Sequence, residues 1–264
     1  MSIQNISRSK ISLVATLANR KFRRKEGLFV VEGRKCVADT IGKYQLEFIA
    51  AKPEWIEYHN IGQTVPEEKV FLTDDDEMKK MSTLVTPSDV LAVYRLPQST
   101  PISEILETPL EPGFYLMLDS IQDPGNLGTI IRTAHWFGMK RIFASPMTAD
   151  IYNPKAIQSS MGSMASVNVD YVDLPLLVEH HKHLPVIGLD LYGRDIFTSA
   201  LPDCGFIVLG NEGNGMSPGL REKINMRLTI PPADPANHPE SLNVAVAGSI
   251  TLAMLHSKLP TSNH

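Results

Sequence analysis

The sequence predicts an α/β protein in two parts, with a mostly parallel, helix-covered sheet in the larger C-terminal part. Short apolar runs of parallel-strand type recur between residues 114 and 230, and helical stretches separate most of them. Residues 1–96 show a shorter alternation of strand and helix patterns, which predicts a smaller α/β domain. Residues 97–113 contain four prolines, so we interpret them as a linker between the two parts.

The N-terminal domain, residues 1–96, combines two kinds of pattern. Short runs rich in Val, Leu and Phe predict strands at residues 28–31, 46–50, 70–72 and 90–96. Helical patterns lie at residues 8–20, 34–41 and 74–82. The last of these begins with acidic residues and ends near lysines, which matches the charge preference of the helix dipole.

The C-terminal domain, residues 114–264, carries the longer series of elements. Its predicted strands lie at residues 114–118, 141–145, 167–172, 186–190, 206–210 and 226–230. Its predicted helices lie at residues 126–137, 154–161, 175–183, 217–224 and 241–257. Because these segments are short apolar runs of the parallel-strand type, we expect a mostly parallel sheet that helices cover on both faces. Ligands of such sheets bind beyond the carboxyl ends of the strands, so the loops that follow strands form the candidate site.

The composition predicts a globular cytoplasmic protein without a metal. The chain is 43% hydrophobic and 20% charged, and no apolar run approaches the ~18 residues of a membrane span. The N-terminal residues MSIQNISRSK lack the apolar core of a signal peptide. Two cysteines, Cys36 and Cys204, make neither a disulfide framework nor a zinc site. His180, His181 and His183 are close in sequence but have no Cys or paired carboxylate beside them.

The charge is uneven along the chain, although the formal net charge is −4. Residues 1–35 contain nine Lys and Arg against two Asp and Glu, a local excess of +7. Such a basic arm suits attachment to the phosphates of a nucleic acid, and a solvated helix face is the alternative. The candidate phosphate-binding residues are Arg8, Lys10, Arg20, Lys21, Arg23, Arg24 and Lys25.

The first unusual loop follows the strand at 114–118 and contains a Pro-Gly turn before a helix that we expect to start near Asn126. Ile130 and Ala134 contribute to an apolar face of this helix. Arg132 lies six residues after Asn126, about 600° of rotation, so the two side chains do not share one stripe. An ordinary helix cap followed by a surface arginine is the alternative interpretation.

Two later loops are also unusual. The second contains Gly210, Gly213 and Gly215, which permit close approach of the backbone to a ligand. It matches neither the GxGxxG dinucleotide fingerprint nor the phosphate-binding P-loop. The third is a proline-rich stretch at 231–240, after which Ser241 is the expected cap of the last helix.

Together these three loops resemble the SpoU family of RNA ribose methyltransferases, within the SPOUT class. The match is to N-x5-R, then LGNEGxG, then IPxx…SLNVAVA, and it covers about residues 114–257. The N-terminal domain is similar to the substrate-binding domain often found in this family, although Ser88-Asp89 stand where Gln-Gly is usual. The resemblance implies a deep trefoil knot and a homodimer formed through the knotted domain. The loop between Pro231 and Asn243 is longer than is usual in similar proteins.

The resemblance also implies the reaction, which is methyl transfer from S-adenosylmethionine to a ribose 2′-hydroxyl of structured RNA, with ribosomal RNA favoured over transfer RNA. The implied cofactor residues are Leu209, Gly210, Ile230, Pro231 and Leu242. The implied catalytic residues are Asn126, Arg132, Glu212, Ser241 and Asn243.

Each implied catalytic residue receives a role. Arg132 stabilises developing oxyanion charge, because a guanidinium that stays protonated above about pH 12 is a poor base. Asn126 orients Arg132 and the ribose, and Glu212 holds Arg132 or Asn126. Ser241 and Asn243 complete the polar lining of the implied active site.

Three alternative functions are considered beside ribosomal RNA methylation. Methylation of a transfer RNA ribose uses the same site on a different substrate. A non-catalytic RNA-binding or assembly factor with the same fold would not bind S-adenosylmethionine, so ligand binding separates it from an enzyme. An ordinary nucleotide-binding oxidoreductase is disfavoured because the chain lacks a GxGxxG motif with a following acid.

Overall fold

The computed structural model describes residues 3–59, 61 and 64–258. Contacts divide the chain into unit 1, residues 1–98 and 150–165, and unit 2, residues 99–149 and 166–264. Each unit has its own sheet with helices, which confirms the predicted α/β class. The last residues of the predicted C-terminal domain, 259–264, lie outside the described residues.

The elements are numbered in chain order. The strands are β1 (Gln4–Asn5), β2 (Leu28–Glu32), β3 (Leu46–Ala51), β4 (Val70–Leu72), β5 (Val90–Arg95), β6 (Phe114–Leu118), β7 (Arg141–Ala144), β8 (Asn168–Tyr171), β9 (Val186–Asp195), β10 (Gly205–Leu209) and β11 (Met226–Thr229). The helices are α1 (Arg8–Thr16), α2 (Arg20–Glu26), α3 (Arg34–Thr40), α4 (Pro53–His59), α5 (Asp75–Met81), α6 (Ile102–Glu107), α7 (Pro124–Trp136), α8 (Pro154–Ser160), α9 (Leu174–His180), α10 (Pro218–Arg221) and α11 (Val244–Lys258).

Unit 1 is built on a mixed sheet of order β1-β4-β3-β5-β2, in which β5 runs antiparallel to β2 and β3. The single helix predicted at 8–20 is wrong, because the Asn19 side chain accepts the Lys21 amide and caps a new helix, α2. Gly27 then ends α2 in the left-handed conformation, with φ of 65°. α8, from the middle of the chain, also belongs to this unit.

Unit 2 is built on a parallel sheet of order β11-β9-β10-β6-β7-β8. α11 and α7 pack against each other. Residues 97–113 are predicted as a linker, but α6 lies within them and buries Ile105 and Leu106 in the core of unit 2. The apolar spacing inside α6 explains this difference, because it gives the short helix one buried face. β9 continues to Asp195, past the predicted 186–190.

Candidate active site

The loop after β10 is held in shape by bonds within itself. Asn211 and Gly215 exchange both backbone hydrogen bonds, at 2.9 and 2.8 Å. Asn211 Oδ1 accepts the amides of Gly213 and Asn214 at 2.9 and 3.0 Å. Gly215 has φ of 66°, and a Cβ on Gly210 would lie 2.7 Å from the Gly215 carbonyl carbon. These glycines therefore allow the loop to fold tightly on itself.

Asp119 connects this loop to the loop after β6. It is 3% exposed, and its carboxylate accepts the Ser217 amide at 2.6 Å. Asn211 Nδ2 donates to the Ser120 carbonyl at 2.9 Å, which adds a second connection. Our sequence reasoning did not select Asp119, although an acid that directly follows an apolar strand was the available signal. A buried carboxylate needs such partners, so Asp119 fixes the relative position of the two loops.

Three polar side chains from separate loops meet in unit 2. Glu212 Oε1 accepts from Asn126 Nδ2 at 2.8 Å and from Asn243 Nδ2 at 2.9 Å. Asn243 Nδ2 also donates to Asn126 Oδ1 at 3.0 Å, and the Val244 amide donates to Glu212 Oε1 at 3.2 Å. We call Asn126, Glu212 and Asn243 the polar cluster. The structure thus brings together three of the five predicted catalytic residues in direct contact.

The start of α11 differs from the prediction. Asn243 Oδ1 accepts the amides of Ala245 and Val246 at 3.0 and 3.3 Å, which is the bonding of a helix N-cap. Ser241 was the expected cap, and that prediction is wrong because α11 begins only at Val244. Asn243 therefore has two tasks, since its oxygen caps α11 while its amide nitrogen joins the polar cluster.

A cleft of about 320 Å³ lies in unit 2 and shares Glu212 with the polar cluster. Its volume is at the lower end of the range for small-molecule sites. The predicted site residues that line it are Leu209, Gly210, Glu212, Ile230, Ser241 and Leu242. Pro231, a predicted cofactor residue, is exposed and is not part of the lining. Asp190, Arg221 and Glu240 line the cleft but were not selected from the sequence.

Arg132 is not in contact with the polar cluster in its own chain. Asp123 caps α7, so Asn126 lies within the first turn rather than at the cap. Arg132 follows six residues later, about 9 Å along the helix axis. Its side chain is exposed and makes no hydrogen bond or ion pair with any residue that the structure describes. Within one chain, neither Asn126 nor Glu212 orients Arg132, in contrast to the predicted roles.

Arg23, a predicted phosphate-binding residue, is buried in unit 1. It is 2% exposed, and its guanidinium donates to the carbonyls of Leu17 and Ala18 at 3.0 and 2.8 Å. It also donates to the Asp150 carboxylate at 2.7 Å. The prediction for Arg23 is therefore corrected, because its guanidinium is already bound inside the unit and cannot reach a phosphate.

The other predicted basic residues remain at the surface of unit 1. Lys10 is half-buried, and its Nζ lies 4.8 and 4.9 Å from the ring centroids of Phe48 and Phe71. The exposed members of the set are Arg8, Arg20, Lys21, Arg24 and Lys25. Arg20 lies 3.9 Å from Asp150, and Lys25 lies 3.3 Å from Glu26.

Among the described residues, no group of three or more His, Cys, Asp and Glu is arranged to hold a metal ion. The part of the chain that the structure describes contains no helix that is both long and apolar enough to cross a bilayer.

Two family models match the sequence. The model of the SpoU rRNA Methylase family matches residues 113–253, more than half of the chain. A model described as an MRM3-like substrate binding domain matches residues 8–92. The two matches fall on the C-terminal and N-terminal parts of the chain.

Several known proteins are similar over most of the chain. RlmP of Bacillus subtilis, a 23S rRNA (guanosine(2553)-2′-O)-methyltransferase, is 29% identical over 94% of this chain and 96% of its own length. RlmB of Neisseria meningitidis, a 23S rRNA (guanosine-2′-O-)-methyltransferase, is 30% identical over 70% of this chain and 75% of its own. A TrmH-family structure from Porphyromonas gingivalis superposes with a TM-score of 0.82 at 31% identity, covering 96% of this chain and 99% of that one.

Proposed function

The chain belongs to the SpoU rRNA methylase family, and on that premise we propose that it transfers a methyl group from S-adenosylmethionine to a ribose 2′-hydroxyl of ribosomal RNA. The polar cluster carries this proposal, because it joins three separate loops beside a ligand-sized cleft. RlmP and RlmB are both named for 2′-O-methylation of 23S rRNA, which supports ribosomal over transfer RNA as the substrate.

The lining of the cleft fits S-adenosylmethionine in its chemistry. Leu209, Ile230 and Leu242 offer apolar surface for an adenine ring, and Gly210 leaves the backbone open to hydrogen bonding. Acidic side chains in the lining suit a ligand that carries positive charge. When bound, S-adenosylmethionine supplies a methyl group that is already electrophilic, because it is attached to a sulfonium.

The task of the protein is then to place the ribose hydroxyl and to stabilise charge on its oxygen. We assign the placement to Asn126, whose side chain is fixed by Glu212 and Asn243 and keeps a second N–H available. We assign the charge stabilisation to Arg132. A guanidinium stays protonated at neutral pH, so it does not accept the hydroxyl proton, which passes to solvent water as the oxygen takes the methyl group. A substrate phosphate beside Arg132 would assist in placing the guanidinium.

A homodimer is part of the proposal, with Arg132 acting at the cleft of the partner subunit. Arg132 faces solvent in its own chain, and Trp136, one helical turn later, is 83% exposed. Val246 on α11, the helix that packs on α7, is also 47% exposed. Exposed tryptophan is enriched at protein–protein interfaces. A second copy on this face would cover Trp136 and supply Arg132 with its missing partners.

We also propose that the chain is knotted in unit 2. β11 lies at one edge of the sheet, and α11 follows it in the chain. α11 nevertheless packs on α7, the helix that follows the interior strand β6. The connecting residues 230–243 therefore return across the sheet and reach Glu212 of the loop after β10. Backbone tracing of an experimental structure tests this threading, and a chain that reduces to an unknotted line contradicts it.

RNA capture is assigned to the exposed basic surface of unit 1, within the match to a substrate binding domain. These side chains would bind phosphates and position the substrate rather than read its bases. Binding should weaken steeply with salt, because each neutralised phosphate releases counterions. The proposal places the protein in the cytoplasm, where its two free cysteines, Cys36 and Cys204, stay reduced.

The test uses the purified chain, S-adenosylmethionine with a labelled methyl group, and ribosomal RNA with transfer RNA as comparison. We expect label in a 2′-O-methylnucleoside from ribosomal RNA, and loss of that label in Arg132→Ala. Arg227→Ala is the matched control, because Arg227 is an exposed arginine outside the cleft. Label on a base, or full activity of Arg132→Ala, would contradict the proposal. Absence of S-adenosylmethionine binding would favour an assembly factor instead.

A further inference from the structure

Arg221 is the one cation in the lining of the cleft, among the residues that the structure describes. The other charged groups there are the carboxylates of Asp190, Glu212 and Glu240. The guanidinium of Arg221 lies beside the glycine loop, since a Cβ on Gly215 would be 3.2 Å from its Nη2. The absence of a side chain at Gly215 thus leaves room for the guanidinium at the edge of the cleft.

The backbone of Arg221 is held firmly while its side chain is free. The Arg221 amide donates to the Ser217 carbonyl at 2.9 Å, and the preceding Leu220 is fully buried. Within the described residues the guanidinium has no hydrogen bond and no ion pair. Lys223, two residues later, is different because its Nζ is paired with Glu179 at 2.7 Å. Arg221 is therefore a positioned cation without an internal counterion.

We propose that Arg221 binds the carboxylate of the amino-acid part of the methyl donor, and so selects a nucleoside that carries this group. The inference rests on the proposed function, which places S-adenosylmethionine in this cleft. The donor carries a sulfonium, an ammonium and a carboxylate. Its two cationic groups suit the acidic lining, whereas its single carboxylate would be repelled there. A guanidinium binds a carboxylate through two parallel hydrogen bonds, and no other side chain of the lining offers a full positive charge.

The experiment compares two ligands that differ only in this carboxylate. S-adenosylhomocysteine carries it, and S-adenosyl-3-thiopropylamine is the same molecule without it. Calorimetry on the full-length chain gives the dissociation constant of each ligand for the wild type, Arg221→Gln, Arg221→Lys and the control Arg227→Gln. Arg221→Gln should fold normally, because the side chain is exposed and no described residue depends on it. Thermal unfolding checks this directly.

We expect Arg221→Gln to weaken S-adenosylhomocysteine binding roughly 10- to 100-fold, which corresponds to the loss of charge-assisted hydrogen bonds. The dissociation constant of Arg221→Gln for the ligand without the carboxylate should stay within about twofold of the wild-type value. The affinity of Arg221→Lys for S-adenosylhomocysteine should lie between those of the wild type and Arg221→Gln. Arg227→Gln should match the wild type.

Equal affinity of the wild type and Arg221→Gln for S-adenosylhomocysteine would overturn the assignment of Arg221 and leave the proposed function intact. Equal weakening of both ligands would also overturn it, because the effect would not depend on the carboxylate. Failure of the wild type to bind either ligand would overturn the proposed function, and this inference with it.

Discussion

Glu212 is the residue on which the polar cluster depends, so its replacement tests the cluster directly. One of its oxygens accepts hydrogen bonds from Asn126, Asn243 and the Val244 amide, at 2.8, 2.9 and 3.2 Å. A hydrogen bond to a charged group contributes about 1.5–3 kcal/mol, and a neutral one about 0.5–1.5 kcal/mol. Glu212 is exposed, and screening by solvent lowers these values. We expect Glu212→Gln to lower the free energy of unfolding by about 1 kcal/mol and Glu212→Ala by about 2 kcal/mol.

Activity should fall much further than stability, because a misplacement of about 1 Å costs about 100-fold in rate. Glu212→Ala should lower kcat about 100-fold, and Glu212→Gln about 10-fold, since its amide oxygen still accepts hydrogen bonds. The assay is methyl transfer to ribosomal RNA, with urea unfolding measured on the same preparations. Glu222→Ala, an exposed glutamate outside the cleft, is the matched control. Full activity of Glu212→Ala would refute the positioning role of the cluster.

Other perturbations test the dimer, the basic arm and a buried histidine. Arg132→Ala and Asn126→Ala should each be inactive on their own. Their random mixture should regain roughly a quarter of wild-type activity, because about half of the dimers are mixed and one of the two sites in each mixed dimer is intact. No recovery would contradict the sharing of a site between subunits. Arg23→Met should lower the free energy of unfolding by about 3 kcal/mol, because Asp150 loses its 2.7 Å ion pair and the carbonyls of Leu17 and Ala18 lose their donor. Arg24→Met should instead weaken RNA binding in a filter assay, and the reverse pattern would contradict this division. Burial lowers the pKa of His181 below its ordinary value of 6.5, so the unfolded chain binds a proton that the folded chain does not. Urea unfolding should therefore show a stability that declines below about pH 6.5, and His181→Phe should flatten that decline.

The parallel sheet of unit 2 was predictable because most of its strands contain short apolar runs and most are separated by helices. The three loops were predictable for a related reason. Each one follows an apolar run and carries glycine or polar residues that an ordinary turn does not need. Periodicity failed where a local polar contact decides the structure. Asn19 interrupts an otherwise continuous helical pattern by capping α2, and nothing in the spacing distinguishes it from a surface residue.

Side-chain burial was the least predictable property, because it depends on residues that are distant in sequence. Arg23 belongs to a basic run, yet its guanidinium pairs with Asp150, 127 residues away in the chain. Asp119 and Arg221 acquire their places only when the loops after β6 and β10 meet. Helical periodicity also does not predict which residues Arg132 contacts. Its side chain is exposed and has no hydrogen-bond partner among the described residues of its own chain.

The central claim is that this chain methylates a ribose in ribosomal RNA. The most direct measurement maps 2′-O-methyl positions in ribosomal RNA from cells that lack the gene and from their parent strain. We expect one position to lose its methyl group and to regain it with the wild-type gene, but not with a gene encoding Arg132→Ala. Identical maps from the two strains would contradict the claim.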